Sequence, residues 1–319
     1  MVRKTIIIVG VFILSSCSKF PYKNTFVVSD TYLTVVSYDK RAARIVYDEF
    51  RRLDKIFNLY DSNSELARLN RTFNTPFRVS KELIEVLLLS QQVYQLTDGS
   101  FDVSRGKLYS FWKGLIEKKN IKRLLSSAEV DKIKELGGMS FIEINTEDST
   151  VTIKKKGLMI DLSGIAKGYM VDKAARRLKK EGISSALINA GGDIYCLRKD
   201  KDSYWKVGIR DPESKEGIVD TVLLSDEAIA TSGNYQQFFF YKGKRYSHII
   251  NPKTGFPVSN NILSTTVVTK NCTTADSLAT AFFVMGVKGI KEFLERVPST
   301  MKIFVITETK EGRKMYVFK

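Results

Sequence analysis

Apolar residues return at three- and four-residue steps through Ala43, Val46, Phe50, Leu53 and Phe57, which predicts a helix over residues 40–58. Ahead of it, "TFVVSDTYLTVVSY" (25–38) is dense in β-branched and aromatic residues around a polar break and predicts strand. "SKELIEVLLLSQQVYQLTDG" (80–99) predicts a second helix, with Ser80 as N-cap and Gly99 as stop. "SSAEVDKIKELGG" (126–138) opens on a capping-box pair, Ser126 and Glu129, and ends in glycines. The strands "SFIEIN" and "TVTIKK" follow around a polar turn. "DLSGIAKGYMVDKAARRLKKEG" (161–182) has an acidic and small start, a basic last turn and Gly182, the marks of a complete helix. "ISSALINAGGDIYCLR" reads as strand, glycine turn, strand. Several short strands are predicted over 204–270: "YWKVGIR", "QFFFY" paired with "RYSHII" across "KGK", and "STTVVT". "TTADSLATAFFVMG" (273–286) is a helix ending at Gly286, and "VKGIKEFLERV", "MKIFVIT" and "MYVFK" close the chain. Helices and strands alternate without a regular βαβ rhythm, so the expected class is α+β rather than a doubly wound sheet. With no internal repeat and no Pro-rich linker, one catalytic domain over 25–319 is the simplest division.

The first residues follow another pattern. "MVRK" is a short basic start, "TIIIVGVFIL" a ten-residue apolar run, and "SSCSKF" follows. Such a run is too short to span a bilayer but suits a signal peptide. "LSSC" resembles a bacterial lipobox, so residues 1–16 are expected to be a lipoprotein signal, Cys17 the lipidated residue and 17–24 a tether. The expectation is an exported bacterial lipoprotein, membrane-anchored and facing the periplasm. Ser18 leans the choice of membrane toward the outer one.

The 319 residues, 43% hydrophobic, suffice for a full core. The net charge of +16 raises nucleic acid as a partner. Lys and Arg are scattered among acids, however, as in "KRAARIVYDEFRRLDK", without a basic stripe interleaved with aromatics, and an export signal argues against that partner. A solvated basic surface facing anionic lipids or an anionic ligand is the plainer account. Beyond Cys17 the chain has Cys196 and Cys272, which allow one bridge but no disulfide scaffold. Two cysteines and one histidine also argue against zinc, so a metal site would have to be built from oxygen.

Four clusters could do chemistry. "DGSFDVSRG" (98–106) is a turn with two acids. "DLSGIAKG" (161–168) is a helix start whose free N–H groups would suit a phosphate, with Lys167 adding a cation; the alternative is that Asp161 simply caps its helix. "SHIINPKTGFPV" (247–258) holds the single histidine, His248, at a strand end. In "TTADSLATAFFVMG", Asp276 and Thr280 lie one turn apart on one helical face. An acid in so apolar a helix needs a base, a set of N–H donors or a metal.

Taken together, "DGSFDVS", "DLSGIAKG", "NAGGD", "HIINPKTGFPV" and "TTADSLATAFFVMG" resemble, in order and spacing, the ApbE family of FAD:protein FMN transferases, and "LYDSNSELARLN" (59–70) resembles a further family segment. The resemblance spans residues 25–310. It implies a single T-fold-related α+β domain that binds FAD and Mg²⁺ and transfers FMN through a phosphoester to a Thr or Ser of an acceptor flavoprotein, at a Ser/Thr-Gly-Ala-Thr/Ser-type motif, with release of AMP. By similarity, Mg²⁺ would be held by Asp276, Thr280 and the backbone carbonyl of Gly164. Flavin contacts would fall on Ser29, Tyr60, Ser100, Phe101, Asp102, Asp161, Lys167 and Ile250. Where the family often has Met-Gly-Thr, this chain has "SDT" and keeps only Thr31, which puts the contact at Ser29 in question. His248, with an ordinary pKa near ~6.5, is the expected general base, with Asp276 or another carboxylate as the alternative. Asp276 is also the second residue expected to be catalytic. The competing readings are a Mg²⁺-dependent FAD pyrophosphatase and a non-enzymatic flavin-binding lipoprotein. A flavin oxidoreductase is weaker, because no nicotinamide fingerprint is present.

Overall fold

The computed structural model describes residues 20–29, 31–117, 123–198, 203–214, 217–235, 237–298 and 300–319. Residues 1–16, expected to be a signal, and Cys17 lie outside the described residues. Two strands, β1 (Tyr22–Val28) and β2 (Thr31–Ser37), form a hairpin that leads into α1 (Ala42–Phe57). The stripe foreseen in α1 is buried: Ala43, Val46, Phe50, Leu53 and Phe57 all face inward. Each large member contributes roughly 1.5–3 kcal/mol by leaving water. Next come α2 (Glu65–Leu69), β3 (Phe77–Arg78) and α3 (Lys81–Leu96), where the Ser80 hydroxyl accepts the Leu83 N–H at 3.3 Å. They are followed by α4 (Gly106–Ile116), α5 (Ser127–Lys134) with the foreseen capping box, β4 (Ile142–Asn145) and β5 (Thr150–Ile153).

The second half comprises α6 (Ala166–Lys180), β6 (Ala186–Ala190), β7 (Asp193–Leu197), β8 (Trp205–Arg210), β9 (Ile218–Leu224) and β10 (Glu227–Gly233). It continues with β11 (Phe238–Tyr241), β12 (Lys244–Ser247), β13 (Ile262–Thr269), α7 (Cys272–Arg296), β14 (Lys302–Thr309) and β15 (Gly312–Phe318). Eight strands form one sheet in the order β1-β2-β6-β7-β10-β13-β14-β15, with every neighbouring pair antiparallel. Helices α1, α6 and α7 pack on this sheet. The β8–β9 hairpin contributes Trp205, Val207, Ile209, Val222 and Leu224 to a separate cluster with the sheet residues Cys196, Ile229, Val268 and Phe304. In β13, residues of both side-chain parities are buried from Ile262 to Val268, as a strand covered on both faces requires. A third apolar cluster joins Leu108, Trp112 and Leu115 of α4 to Val130 of α5, Phe239 of β11 and Ile250. The class is the expected α+β.

Boundaries differ in four places. β1 starts at Tyr22, inside the stretch assigned to a tether. Helix α4 was not foreseen, because "GKLYSFWKGLI" has two glycines and a weak period; packing of Trp112 defines it. Helix α6 starts at Ala166, not Asp161. Helix α7 runs past Gly286, but Gly286 itself (φ 76°, ψ 171°) breaks the helical backbone where the stop was placed. Cys196 and Cys272 are both free and buried, so the bridge they might have formed is absent.

Candidate active site

The site is organised by the crossing of α6 and α7. A Cβ on Gly168 would lie 2.4 Å from the Cys272 carbonyl oxygen and 2.9 Å from Asp276 Cβ, so only glycine allows this approach. The two helices exchange carboxylates. Asp276 of α7 accepts the Gly168 N–H at 3.1 Å in the first turn of α6, where Ile165 at the N-cap supplies no side-chain cap. Asp172 of α6 accepts the N–H groups of Cys272 (2.8 Å) and Thr273 (2.9 Å) and the Thr273 hydroxyl (2.6 Å) at the start of α7. The acid in the apolar helix is therefore a cap for its neighbour. Both carboxyls are buried. Burial pushes Asp276 up to about 7; Asp193 and Asp172 act the same way, and Lys167 and the Gly168 N–H oppose them. Burial also raises Asp172, against its three donors.

The turn between β6 and β7 delivers a third acid. Gly191 (φ 66°) and Gly192 (φ 108°) hold left-handed backbone, and a Cβ on Gly191 would sit 2.2 Å from Thr31 Oγ1. The turn sets Asp193 against Lys167, with Nζ 2.5 Å from Oδ2. Burial lowers Lys167, but Asp193 and Asp276 outweigh it and hold the ammonium protonated well beyond the usual lysine range.

The segment ahead of α6 corrects one expectation. Asp161 does not cap the helix; it closes a turn by accepting the Ser163 N–H at 2.9 Å. The Ile165 and Ala166 N–H groups both donate to Leu162 O, and Gly168 donates to Asp276. The donors foreseen as free for phosphate are therefore largely engaged, and Lys167 supplies the positive potential instead. Asp161 is buried and raised by burial, with the Ser163 donors opposing. Its N–H donates to Val103 O at 2.8 Å, which ties it to the 98–106 turn. There Ser100, Phe101 and Asp102 are all buried. Asp102 accepts from Ser104 N (2.9 Å), Ser104 Oγ (2.5 Å) and Arg105 Nε (2.9 Å), so its carboxylate organises the turn. A Cβ on Gly164 would lie 3.2 Å from the Phe101 ring and 3.6 Å from Thr280 Oγ1. Thr280 Oγ1 is also 3.1 Å from Ser232 Oγ on β10. Gly164, Phe101, Thr280 and Ser232 thus adjoin one another.

His248 follows β12. Its Nδ1 is 3.0 Å from the Gln237 carbonyl oxygen, so Nδ1 carries the proton and Nε2 holds the lone pair. Burial lowers its pKa; the Gln237 bond opposes, and the charges of Lys167 and Lys113 lower it further. Lys113 of α4 donates to Tyr60 Oη at 2.9 Å and lies 4.1 Å from the centre of that ring. Tyr60 is exposed. Ile250 is buried in the α4 cluster and bridges to Pro257. Ser29, in left-handed backbone (φ 52°), donates to Asp54 Oδ1 at 2.7 Å, so its hydroxyl serves the β1–β2 turn and α1.

Sequence reasoning assigned no role to Asp193, Lys113, Ser232 or Asp172. Asp193 was within reach, since "NAGGD" had been singled out; the others had no local signal, because their partners are 48 to 101 residues away.

A family model described as "ApbE family" matches residues 29–305. A Vibrio cholerae protein named "FAD:protein FMN transferase" is 34% identical over 260 residues, covering 81% of this chain and 76% of that protein. One of the same name from Escherichia coli is 29% identical over 269 residues, covering 83% and 76%. The solved "Flavin Transferase ApbE from Vibrio cholerae" aligns with a TM-score of 0.82 at 29% identity, over 93% of this chain and 96% of that one. The ApbE protein from Thermotoga maritima aligns with a TM-score of 0.81 at 28% identity, over 93% and 96%.

Proposed function

The chain belongs to the ApbE family, and on that premise we propose that it is an FAD:protein FMN transferase acting on a Ser or Thr hydroxyl of an acceptor flavoprotein. Its relatives' names support the reaction class. The observation that favours it most within this chain is the meeting of Lys167, Asp193 and Asp276 close to Gly164 and Thr280, Lys167 and Asp193 being 26 residues apart and α6 and Asp276 joined across 108.

The residues fit Mg²⁺. The Asp276 carboxylate, the Thr280 hydroxyl and the backbone carbonyl of Gly164 would supply oxygen donors only, and a built Cβ on Gly164 would come within 3.6 Å of Thr280 Oγ1, space that glycine leaves open. Asp276, pushed up to about 7, is an acid whose charge the surrounding protein does not fully balance. When bound there, Mg²⁺ would supply charge neutralisation on the diphosphate.

The chain's own groups account for the rest. Lys167, held protonated, presents a fixed cation to the diphosphate. The acceptor oxygen bonds to the phosphorus of the FMN half, the bond from that phosphorus to the bridging oxygen breaks, and AMP leaves with the bridging oxygen. The hydroxyl proton passes to His248 Nε2, which is free to accept it because Nδ1–H is tied to Gln237. Acceptor sites of the Ser/Thr-Gly-Ala-Thr/Ser type, and a lipid on Cys17 that anchors the enzyme at the periplasmic face of a membrane, belong to the same proposal. Incubation with FAD, Mg²⁺ and a peptide bearing that motif should give a peptide heavier by the FMN moiety. Free FMN and AMP with unmodified peptide would overturn transfer in favour of hydrolysis.

A further inference from the structure

The direction of the strands separates the two ends of the sheet. Tyr22 pairs with Ser37, and Ser37 with Ala186, so the starts of β1 and β6 and the end of β2 share one end. Val28 pairs with Thr31, and Leu33 with Ala190, which places the Gly191-Gly192-Asp193 turn, and with it Lys167, at the other. Along β1 the two ends are roughly 20 Å apart at ~3.4 Å per residue.

The Tyr22 end is aromatic and basic. Phe20 is 86% exposed and Tyr22 52%. Tyr22, Tyr38, Lys40 and residues 182–185 line a groove of about 390 Å³. Lys23, Lys40 and Lys180 are exposed there. The acids of this end are paired: Asp39 with Arg41 at 2.7 Å, Glu181 with Arg177 at 3.7 Å, Asp226 with Lys179 at 3.0 Å and Glu227 with Lys270 at 3.2 Å. In sequence, Cys17 precedes Tyr22 by five residues, a reach of roughly 18 Å at full extension.

We propose that this end of the sheet rests on anionic phospholipid headgroups, so that the active site faces away from the bilayer. The proposal depends on the anchor at Cys17. Tyrosines suit the headgroup level. Lysines within a Debye length of anionic lipid are attracted to it. The consequence for the partner is definite: the acceptor hydroxyl is presented from a domain standing clear of the membrane.

The test uses the lipidated full chain in phosphatidylcholine vesicles with and without phosphatidylglycerol, both carrying a headgroup quencher. A fluorophore is placed at Lys40→Cys or at Val27→Cys, the latter exposed near the opposite end of β1. Cys196 and Cys272 are buried and do not compete. The Lys40→Cys label should be quenched about threefold more strongly, since the length of the strand holds the Val27→Cys label roughly 20 Å farther from the headgroups. Lys23→Glu with Lys180→Glu should remove most of that difference in phosphatidylglycerol vesicles, with FMN transfer to a soluble peptide unchanged. Mass analysis of the N-terminal peptide reads the anchor separately. A chain with the lipid whose two labels quench equally overturns the orientation, and quenching indifferent to both substitutions overturns the role of charge. A chain without lipid at Cys17 overturns the anchor on which the proposal depends.

Discussion

Gly168→Ala tests whether the α6–α7 crossing sets the site. The added methyl would meet the Cys272 carbonyl oxygen at 2.4 Å, its carbon at 2.8 Å and Asp276 Cβ at 2.9 Å. Two of these are backbone atoms, so no side-chain rotation relieves the overlap, and α7 must back away by about 1 Å to restore ordinary contact. Overpacking of this kind is worth ~1–3 kcal/mol. The same shift stretches the 3.1 Å bond from Gly168 N to Asp276 beyond hydrogen-bond range, a charged-acceptor bond of ~1.5–3 kcal/mol. Alanine's better helix propensity returns at most ~1 kcal/mol. The net expectation is a loss of about 2–4 kcal/mol, a fall in Tm of roughly 3–7 °C for a domain of this size. Thermal unfolding by circular dichroism measures it, with Gly114→Ala as control. Gly114 lies in α4 with nothing within 4 Å of a built Cβ, so that variant should be neutral or slightly more stable. FMN transfer by Gly168→Ala should fall far more than its stability, because Asp276 moves. A Gly168→Ala protein that melts and turns over like the parent would refute the packing argument.

Four further expectations follow from the site. His248→Ala should leave FAD binding intact and slow FMN transfer by roughly 10² or more; wild-type turnover would remove His248 as base. Because burial lowers His248 and a base must be neutral, the acid limb of kcat/KM should lie below pH ~6.5 when Mg²⁺ is saturating and keeps Asp276 ionised, and a limb at or above that value that His248→Ala removes contradicts the lowered His248. Asp276→Ala should abolish Mg²⁺-dependent turnover and Mg²⁺ binding by calorimetry, and retention of either would dismiss the oxygen site. Asp172→Ala removes the acceptor of three donors at the start of α7 and should destabilise by about 2–4 kcal/mol in denaturant unfolding, with an unchanged midpoint as the contrary result.

What the sequence revealed depended on the range of the interaction. The α1 stripe, the Ser80 cap, the Ser126–Glu129 box and the Gly286 break are decided within a few residues, and each appears in the structure. Helix α4 was hidden because its identity comes from Trp112 entering a cluster with Phe239 and Ile250, far along the chain. The start of α6 was misplaced because Asp161 carries the signature of a cap yet spends its oxygen on a turn, and the cap of α6 comes from Asp276 instead. Asp102 and Ser29, assigned to flavin by resemblance, have side chains engaged with Arg105 and Ser104 and with Asp54. The resemblance points to segments; which side chain in each segment is engaged within the protein is set by tertiary pairing that no local pattern carries.

The mutual capping of α6 and α7 has a consequence for how the polypeptide matures. Asn271 caps Thr274 locally and Leu162 O serves Ile165 and Ala166. The N–H groups of Cys272 and Thr273 in α7 and of Gly168 in α6, however, meet their carboxylate acceptors only when the other helix arrives, across 100, 101 and 108 positions of chain. Loop closure of that length is a late and comparatively slow event. A molecule emerging residue by residue can therefore complete α1 and α3 early, yet it acquires an organised catalytic centre only when Asn271 and the residues after it have joined the rest. Chains that stop short of Asn271 should accordingly be inert toward flavin nucleotides.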